Sequence, residues 1–545
     1  MLNLQSLSGF ERPSALSVFK NGALFMVACL VIRFIVVSIY RVWFHPLAKY
    51  PGPWTAKISD FHGAYHNVMG QLHVESARAH KKYGSVVRQG PNKLIFDSVT
   101  ALHEIYYSKD GVQKSYGYET MVPAPGAYNI FTAVDKGIHR FKRKMLNQGF
   151  SDQSIRAFEP TMLHHIDLFV RNLIRAPVYD DDNEGWSPPL DMTERCRHLE
   201  YDIMGEFGFG QSFQLQTKPD NHFLIDATTA TSHKAGVIIQ YPRLGYTQYL
   251  QLDKLFYRKG MEMREKFLRL MARLVKERLS ADKDSQNDLF SFLIDAKDPE
   301  TGRGFTESEL WAESRFLLIA GADTSSTALT AIFFYLTAYP ECYATLVHEI
   351  LSTFSSADEI ESGPKVASCR YLRACIDEAL RMSPPISGTL WREVCPGGLE
   401  VDGNFLPPGT DIGVNPYAVH HNEDLYADSY TFKPERWIPS DQNPKEAVER
   451  ARHAFSVYSF GTRACAGRNM AYMELSDAVA KTIWYTDFRR AEGPLGKVSA
   501  GVVGAKDGRQ RVKEFQLMEH LTCSHDGPFL QFKGRKGRGQ ELFKI

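Results

Sequence analysis

The stretch YSFGTRACAG at residues 458–467 sets one cysteine, Cys465, between two glycines and two residues after Arg463. A helical pattern follows from Arg468, so we expect Cys465 at a helix N-terminus, where unpaired backbone N–H groups favour a thiolate. Gly461 permits a tight turn, and Gly467 removes side-chain bulk beside the sulfur. The loop therefore predicts a thiolate that a large flat group can approach.

A thiolate-ligated haem requires such a loop, and Arg463 would supply a fixed cation for a propionate. Two other interpretations remain open at this point. Cys465 could be a nucleophile, although the sequence positions no histidine partner for it, or it could be an ordinary buried cysteine.

Composition excludes some classes of protein and leaves others. The chain has 545 residues, of which 43% are hydrophobic, and its 64 basic and 63 acidic residues give a formal charge of +1. A balanced charge of this kind predicts no nucleic-acid partner. The 8 cysteines contain no CxxC pair, which favours a reducing compartment over a disulfide framework.

The N-terminus contains an apolar run at residues 22–40 that only Arg33 interrupts, about the length that crosses a bilayer core. We predict a tail at residues 1–21, a transmembrane anchor at 22–41 and a proline-rich linker at 42–57. A cleaved signal peptide is the alternative, but no small-residue cleavage site follows. Basic residues flank the run with a slight bias that favours a cytosolic body.

The remaining residues, 58–545, are predicted to form one catalytic domain that is mainly α with minor β. Helical patterns dominate up to about residue 380, and short strand-like segments rich in glycine and proline follow Pro384. The motif GEFGFG at 205–210 does not match a dinucleotide-binding loop.

One long helix is predicted from a capping box at Thr306 and Glu309 to Pro340. Its middle is apolar on nearly all sides, yet it contains Gly321, Asp323 and Thr324, which are unfavourable in a helix interior. A mere packing kink is the alternative to a functional role for these residues.

Taken together, the motifs resemble those of the cytochrome P-450 superfamily, and most closely its fungal microsomal members. The loop at 458–467 is similar to FxxGxRxCxG, AGADTS at 320–325 to the oxygen-activating helix, EALR at 378–381 to ExxR and FKPERW at 432–437 to the PERF segment. The resemblance covers roughly residues 45–535.

The resemblance implies a monooxygenase with the cytochrome P-450 fold. Its cofactor would be haem b, with O2 and with electrons from NADPH through a cytochrome P-450 reductase, and cytochrome b5 would be a further candidate partner. The substrate would be a hydrophobic small molecule of fungal secondary metabolism, which is hydroxylated, epoxidised or desaturated. A single-pass anchor would hold the domain on the cytosolic face of the endoplasmic reticulum membrane.

The resemblance also assigns roles to single residues. Cys465 would be the axial iron ligand, and Asp323 and Thr324 would deliver protons. The cofactor would further contact Arg463, Arg392, Arg143, His139, Tyr458 and Gly467. Glu378, Arg381 and Arg436 would form a buried structural network, and Phe316, Ala320 and Ile386 would line the substrate pocket. Lys142 and Lys144 would be reductase-docking candidates.

The chain departs from the family pattern at two positions. Tyr458 stands where the first phenylalanine of the cysteine loop is usual, and His139 replaces a tryptophan. An O2-independent haem-thiolate isomerase or dehydratase, or a non-catalytic haem-binding protein, remains the alternative function.

Overall fold

The computed structural model describes residues 15–122, 126–174, 185–248, 258–280, 288–298 and 300–543. Residues 1–14 of the predicted tail and six further segments of the predicted body fall outside this part of the chain. The described residues are mainly helical with short strands, which confirms the predicted fold class.

The helices follow the polar and apolar periodicity of the sequence, and several begin at side-chain caps such as Ser98, Asp135 and Thr306. Their bounds are α1 Ala15–Ile39, α2 Trp54–Ile58, α3 Phe61–Val68, α4 Leu72–Tyr83, α5 Val99–Tyr107, α6 Lys136–Gly149, α7 Asp152–Ile174, α8 Met192–Phe209, α9 Phe223–Gln240, α10 Arg258–Ser280, α11 Leu289–Asp295, α12 Glu307–Ala338, α13 Pro340–Thr353, α14 Pro364–Ser368, α15 Arg370–Met382, α16 Pro416–His420, α17 Lys445–Ala454 and α18 Arg468–Tyr485.

The strands form two small sheets and a hairpin. The larger sheet has the order β1-β2-β8-β5-β3, with β2 and β8 parallel and the other pairs antiparallel, the smaller sheet has the order β4-β10-β9, and β6 pairs with β7. Their bounds are β1 Val86–Gly90, β2 Lys93–Phe96, β3 Val112–Lys114, β4 Leu190–Asp191, β5 Arg392–Val394, β6 Leu399–Val401, β7 Asn404–Leu406, β8 Asp411–Val414, β9 Thr486–Arg490 and β10 Phe529–Gly534.

Helix α12 passes through the main hydrophobic core. The predicted capping box at Thr306 and Glu309 starts it, and the helix then continues unbroken through its polar centre. A Cβ atom on Gly321 would lie 2.4 Å from the sulfur of Met204 on α8, so this glycine permits close packing of the two helices. The close packing on α8 fixes the position of the long helix and of its polar side chains.

The N-terminal helix α1 continues through a wider turn at Tyr40–Phe44. Its apolar side chains, from Leu16 to Phe44, are exposed. This helix begins before the predicted anchor at 22–41, and its length and exposure are consistent with a single-pass membrane anchor. The other helix that is long and apolar enough, α12, is mostly buried.

The structure contradicts one predicted docking residue. Lys142 on α6 is fully buried, with its Nζ 3.1 Å from Glu313 and 3.5 Å from Glu309 on α12. The prediction was wrong because this lysine points into the protein and pairs with acids of the central helix. Lys144 is partly exposed and pairs with Asp298 and Glu300.

Candidate active site

The cysteine loop is fixed by its backbone. Gly461 has φ +69°, and a Cβ there would lie 2.2 Å from the carbonyl oxygen of Tyr106, so only glycine fits without a shift. The N–H of Cys465 donates to the carbonyl oxygen of Tyr458 at 2.9 Å. Helix α18 starts three residues after Cys465, as the sequence predicts. The loop therefore holds the sulfur at one defined position.

Opposing effects act on the Cys465 thiol, which is accessible from an internal cavity but surrounded by protein. Enclosure raises its pKa above the ordinary value, while the N–H of Gly467 and the cations Arg143 and Arg468 act in the opposite direction. Because the pKa is raised on balance, a positive metal ion would have to complete the stabilisation of the thiolate.

The cavity has a volume of about 820 Å³ and extends from the cysteine loop along α12 and α9. Most of its lining is apolar. The predicted pocket residues Phe316, Ala320 and Ile386 all line it, and the ring of Phe316 stacks on Phe131 with centroids 5.2 Å apart. A cavity of this size and polarity accommodates a large flat cofactor together with an apolar small molecule.

Cations are concentrated at one part of the lining. Arg463, Arg143 and His139, which the sequence predicts to contact the cofactor, line the cavity, and Arg463 donates to the carbonyl oxygens of Ala133 at 2.7 Å and Val134 at 3.0 Å. Burial and the surrounding cations, Arg463 first, lower the pKa of His139 to about 3, so this imidazole is neutral and can act as a hydrogen-bond donor.

A further member of this cluster, Lys114, has no recognisable pattern in the sequence. Lys114 at the end of β3 lines the cavity, and burial with the charges of Arg392 and Arg463 lowers its pKa well below the ordinary value. Arg392 lies opposite Lys114 in the antiparallel register of β3 and β5, but it is not part of the lining itself. Its guanidinium donates to the carbonyl oxygen of Trp391 at 3.1 Å. Lys114 could not be predicted because only the pairing of β3 with β5 brings it beside Arg392, and no sequence pattern indicates that these two strands pair.

These residues fit an iron porphyrin. The Cys465 thiolate would be a soft, anionic ligand for iron. Among the described residues the lining cations Lys114 and Arg463 form no ion pair, and two propionate groups would provide the missing negative charge. Gly467 also lines the cavity, and a Cβ there would contact protein atoms only at 3.7 Å, on Phe150. Its lack of a side chain thus leaves room on the cavity side of the sulfur.

The polar centre of α12 is divided between two environments. Thr324 lines the cavity, and its Oγ1 donates to the carbonyl oxygen of Ala320 at 2.7 Å. Asp323 is buried and outside the lining, and it accepts hydrogen bonds from Tyr201 at 2.8 Å and Thr522 at 3.1 Å. Burial raises the pKa of Asp323, and Arg197 and the two hydroxyl donors oppose that shift. The two adjacent residues therefore point to different sides of the helix.

Glu378 is the centre of a buried ionic network. Its carboxylate accepts hydrogen bonds from Arg381 at 2.8 and 3.0 Å and from Arg436 at 3.0 Å, and both it and Arg381 are fully buried. The Nη1 of Arg381 also donates to the carbonyl oxygen of His420 at 2.6 Å. The network joins α15, α16 and the segment at 434–437, well separated in sequence from the cysteine loop.

Tyr458 contributes both its carbonyl and its ring to the site. The ring lines the cavity and packs on Tyr472 with centroids 5.1 Å apart, and the Arg468 guanidinium lies 5.8 Å from its centre. Burial raises the pKa of the phenol well above its usual range, so its hydroxyl stays protonated. The extra hydroxyl therefore adds no charge to the site.

Comparison with known proteins agrees with this geometry. The cytochrome P450 family model matches residues 52–489. Cytochrome P450 monooxygenase AKT7 of Alternaria alternata is 37% identical over 512 residues, which cover 93% of this chain and 97% of that protein. Cytochrome P450 monooxygenase apf7 of Gibberella fujikuroi is 35% identical over 92% of this chain and 96% of its own length. A cytochrome P450 monooxygenase of Gibberella zeae is 40% identical over 79% of this chain and 97% of its own length.

Proposed function

The chain belongs to the cytochrome P450 family, and from this premise we propose that it hydroxylates, epoxidises or desaturates a hydrophobic small molecule, using O2 and electrons that a reductase transfers from NADPH. Its relatives are fungal monooxygenases of the same family, which supports a place in fungal secondary metabolism. The family resemblance inferred from the motifs is thereby confirmed.

The observation that carries the proposal is the position of Cys465. Its thiol faces a cavity of about 820 Å³, and the lining of this cavity also contains the cations Lys114, Arg143 and Arg463. In this proposal Cys465 ligates the iron of haem b, and the cations with His139 bind the propionates. Arg392, which lies opposite Lys114 and outside the cavity lining, would stabilise the propionates through its positive charge and not through a contact.

Haem bound through a thiolate supplies the chemistry that activates O2. The residues of α12 would control protons and substrate around it. Thr324 would hold a proton donor or water at its hydroxyl, and Asp323 would exchange protons through Tyr201 and Thr522. Phe316, Ala320 and Ile386 would orient an apolar substrate and exclude water.

The remaining parts of the proposal concern location. The exposed apolar helix at Leu16–Phe44 supports a single-pass anchor, which we assign to the endoplasmic reticulum with the catalytic domain in the cytosol. Cytochrome P-450 reductase, and cytochrome b5 as a second donor, would then act on the same membrane surface. Lys144 is the remaining docking candidate on α6.

The test is the spectrum of the reduced protein with carbon monoxide. Wild type is expected to give the Soret band of a thiolate-ligated haem, and Cys465→Ala is expected to lose it. Cys395→Ala, a change of a partly buried cysteine away from the cavity lining, is the matched control and should keep the band. Retention of the band in Cys465→Ala would refute the ligand assignment.

Substitution of Thr324 by Ala separates oxygen-dependent from oxygen-independent chemistry. We expect Thr324→Ala to release peroxide in place of oxidised product, with product per NADPH reduced by about tenfold or more, because a positioned proton donor is lost. Thr337→Ala, a threonine on the same helix outside the cavity, is the control. Unchanged turnover and coupling in Thr324→Ala would favour the O2-independent alternative.

A further inference from the structure

One wall of the cavity is a loop, residues 129–134, that lies just before α6. Ile130 and Phe131 of this loop line the cavity. The ring of Phe131 is nearly parallel to that of Phe316 on α12, with 13° between the two planes and 5.2 Å between the centroids. Because the two rings belong to different elements, the position of the 129–134 loop decides how closely they stack.

The 129–134 loop is closed on itself by Asn129. The Oδ1 of Asn129 accepts hydrogen bonds from the backbone N–H groups of Phe131 at 3.0 Å and Thr132 at 2.9 Å. The N–H of Ile130 is directed elsewhere, since among the described residues its partner is the Oε2 of Glu313 on α12, at 3.1 Å. This bond therefore joins the turn to the central helix.

Glu313 divides its two carboxylate oxygens between the loop and α6. Its Oε2 accepts from Ile130, and its Oε1 lies 3.1 Å from the Nζ of Lys142. Glu313 and Lys142 are both 0% exposed. Hydrogen bonds that an ionised carboxylate accepts are shorter and stronger than neutral ones. Lys142 therefore fixes the charge and orientation of Glu313, and Glu313 fixes the N–H of Ile130.

Other side chains hold the loop by its carbonyl groups. Lys114 and Arg463 both donate to carbonyl oxygens of the 129–134 loop. In the proposed function these two cations also bind the haem propionates, so they are shared between the loop and the cofactor. Glu313 lies outside the cavity lining. It therefore anchors the loop without touching the substrate or the cofactor.

We propose that Glu313 is a positioning residue for substrate selection. Through the N–H of Ile130 it holds the 129–134 loop on α12 and keeps the ring of Phe131 on that of Phe316. It thereby disfavours apolar substrates that are large enough to separate the two rings. This inference rests on the proposed function, because it concerns which molecules fit beside the haem.

The selection follows from the cost of moving the loop. A bulky ligand that displaces the Phe131 ring together with its backbone breaks the bond between Ile130 and Glu313. The buried carboxylate oxygen is then left without a donor, and this cost weakens the binding of the bulky ligand. A small ligand leaves both rings in place and avoids the cost. Glu313 thus acts on ligand size through Ile130 and not through a contact with the ligand.

Two double variants separate the hydrogen bond from the ion pair. Lys142→Met with Glu313→Gln keeps an acceptor oxygen for the N–H of Ile130, whereas Lys142→Met with Glu313→Leu has none. Both variants remove the buried lysine together with its acid, and Glu309 keeps Arg303 as its partner at 2.9 Å. A merely structural effect of the ion pair should therefore be the same in both variants.

Hydrogen–deuterium exchange of the full-length, haem-loaded protein, followed by mass spectrometry, tests the anchor without turnover. It is measured at about pH 8, because burial raises the pKa of Glu313 to about 7 and the wild-type carboxylate is ionised above this value. The amides of the 129–134 loop should exchange about tenfold faster in Lys142→Met/Glu313→Leu than in Lys142→Met/Glu313→Gln. Glu307→Ala, an exposed acid of the same helix, is the control and should keep the wild-type rate. Equal rates in the two double variants would overturn the proposal.

Spectral titration of the ferric protein with two imidazole ligands tests the selection. Imidazole is small enough to leave the two rings in place, whereas clotrimazole is an imidazole that carries three further aromatic rings. The affinity for clotrimazole relative to imidazole should rise by about tenfold in Lys142→Met/Glu313→Leu. It should stay at the wild-type value in Lys142→Met/Glu313→Gln, because the acceptor for Ile130 is kept.

Failure of the inference and failure of the proposed function give different results. A wild-type haem spectrum that responds to neither imidazole ligand would refute the haem site, while the exchange of the loop amides still decides whether Glu313 holds the loop. A normal response of wild type, with the same affinity ratio in both double variants, would overturn the role of Glu313 and leave the function intact.

Discussion

Replacement of Glu378 by Gln should be among the most destabilising isosteric changes in the chain. The carboxylate accepts hydrogen bonds from Arg381, Arg436, the indole N–H of Trp437 at 3.0 Å and the backbone N–H of Lys433 at 3.0 Å. A glutamine has the same shape but one acceptor oxygen and no charge. Its amide N–H groups would face donors, and the buried guanidinium of Arg381 would be left without a counter-charge.

The expected cost follows from the burial of this pair. Glu378 and Arg381 are both 0% exposed, and breaking such a pair from one side costs about 3 to 5 kcal/mol. The exposed pair of Lys445 and Glu449 provides a matched control, since Glu449→Gln makes the same chemical change where solvent screens the charge. That variant should change the free energy of unfolding by less than about 0.5 kcal/mol.

Urea unfolding of both variants, followed by tryptophan fluorescence at equal haem loading, measures the difference. Lowering the pH should reduce the stabilisation that the Glu378 network gives the wild-type protein. Although burial acts against it, the two arginines hold the pKa of Glu378 below its ordinary 4.5, so the stabilisation is full above that value and is lost as pH falls through the lowered pKa. A destabilisation of Glu378→Gln below about 1 kcal/mol would refute the reasoning.

Three further predictions concern the site. Gly461→Ala should lower the free energy of unfolding with or without haem, because the added Cβ meets the Tyr106 carbonyl oxygen. Gly467→Ala should impair only haem binding, and equal destabilisation of the haem-free protein by the two changes would contradict this. Lys114→Met should accelerate haem transfer to apomyoglobin by about tenfold, because a cation that binds a propionate is lost. The stability of the haem-free protein should not fall, because the change removes a buried cation. An unchanged transfer rate would exclude a propionate contact. Lys142→Ala should lower the melting temperature, because the lysine ammonium pairs with Glu313 inside the protein. The Michaelis constant for the reductase should not change. Weaker reductase binding at unchanged stability would restore the docking role.

The local features of the chain were predictable because they depend on residues close in sequence. The capping box at Thr306, the helix after Cys465 and the change from helices to short strands near Pro384 all follow from short-range patterns. The cysteine loop could be recognised for the same reason, since its glycines, Arg463 and Cys465 act within ten residues. These patterns also identified the family.

Contacts between distant segments were not predictable in this way. Lys142 reads as part of a basic, solvated face, and only the packing of α6 against α12 gives it Glu309 and Glu313 as buried partners. Asp323 and Thr324 are adjacent in sequence, but the helix turns one toward Tyr201 and the other toward the cavity.

The sequence alone thus determined the class of protein, the cysteine that binds iron in our proposal and the helix opposite it, because each is encoded by spacing within one element. Only the tertiary structure decided which charges meet. Lys114 reaches the cavity through the pairing of β3 with β5, and Lys142 meets Glu309 and Glu313 through the packing of α6 against α12. Burial and the approach of like or opposite charges arise only when these elements pack, and they fix the protonation states on which the chemistry depends.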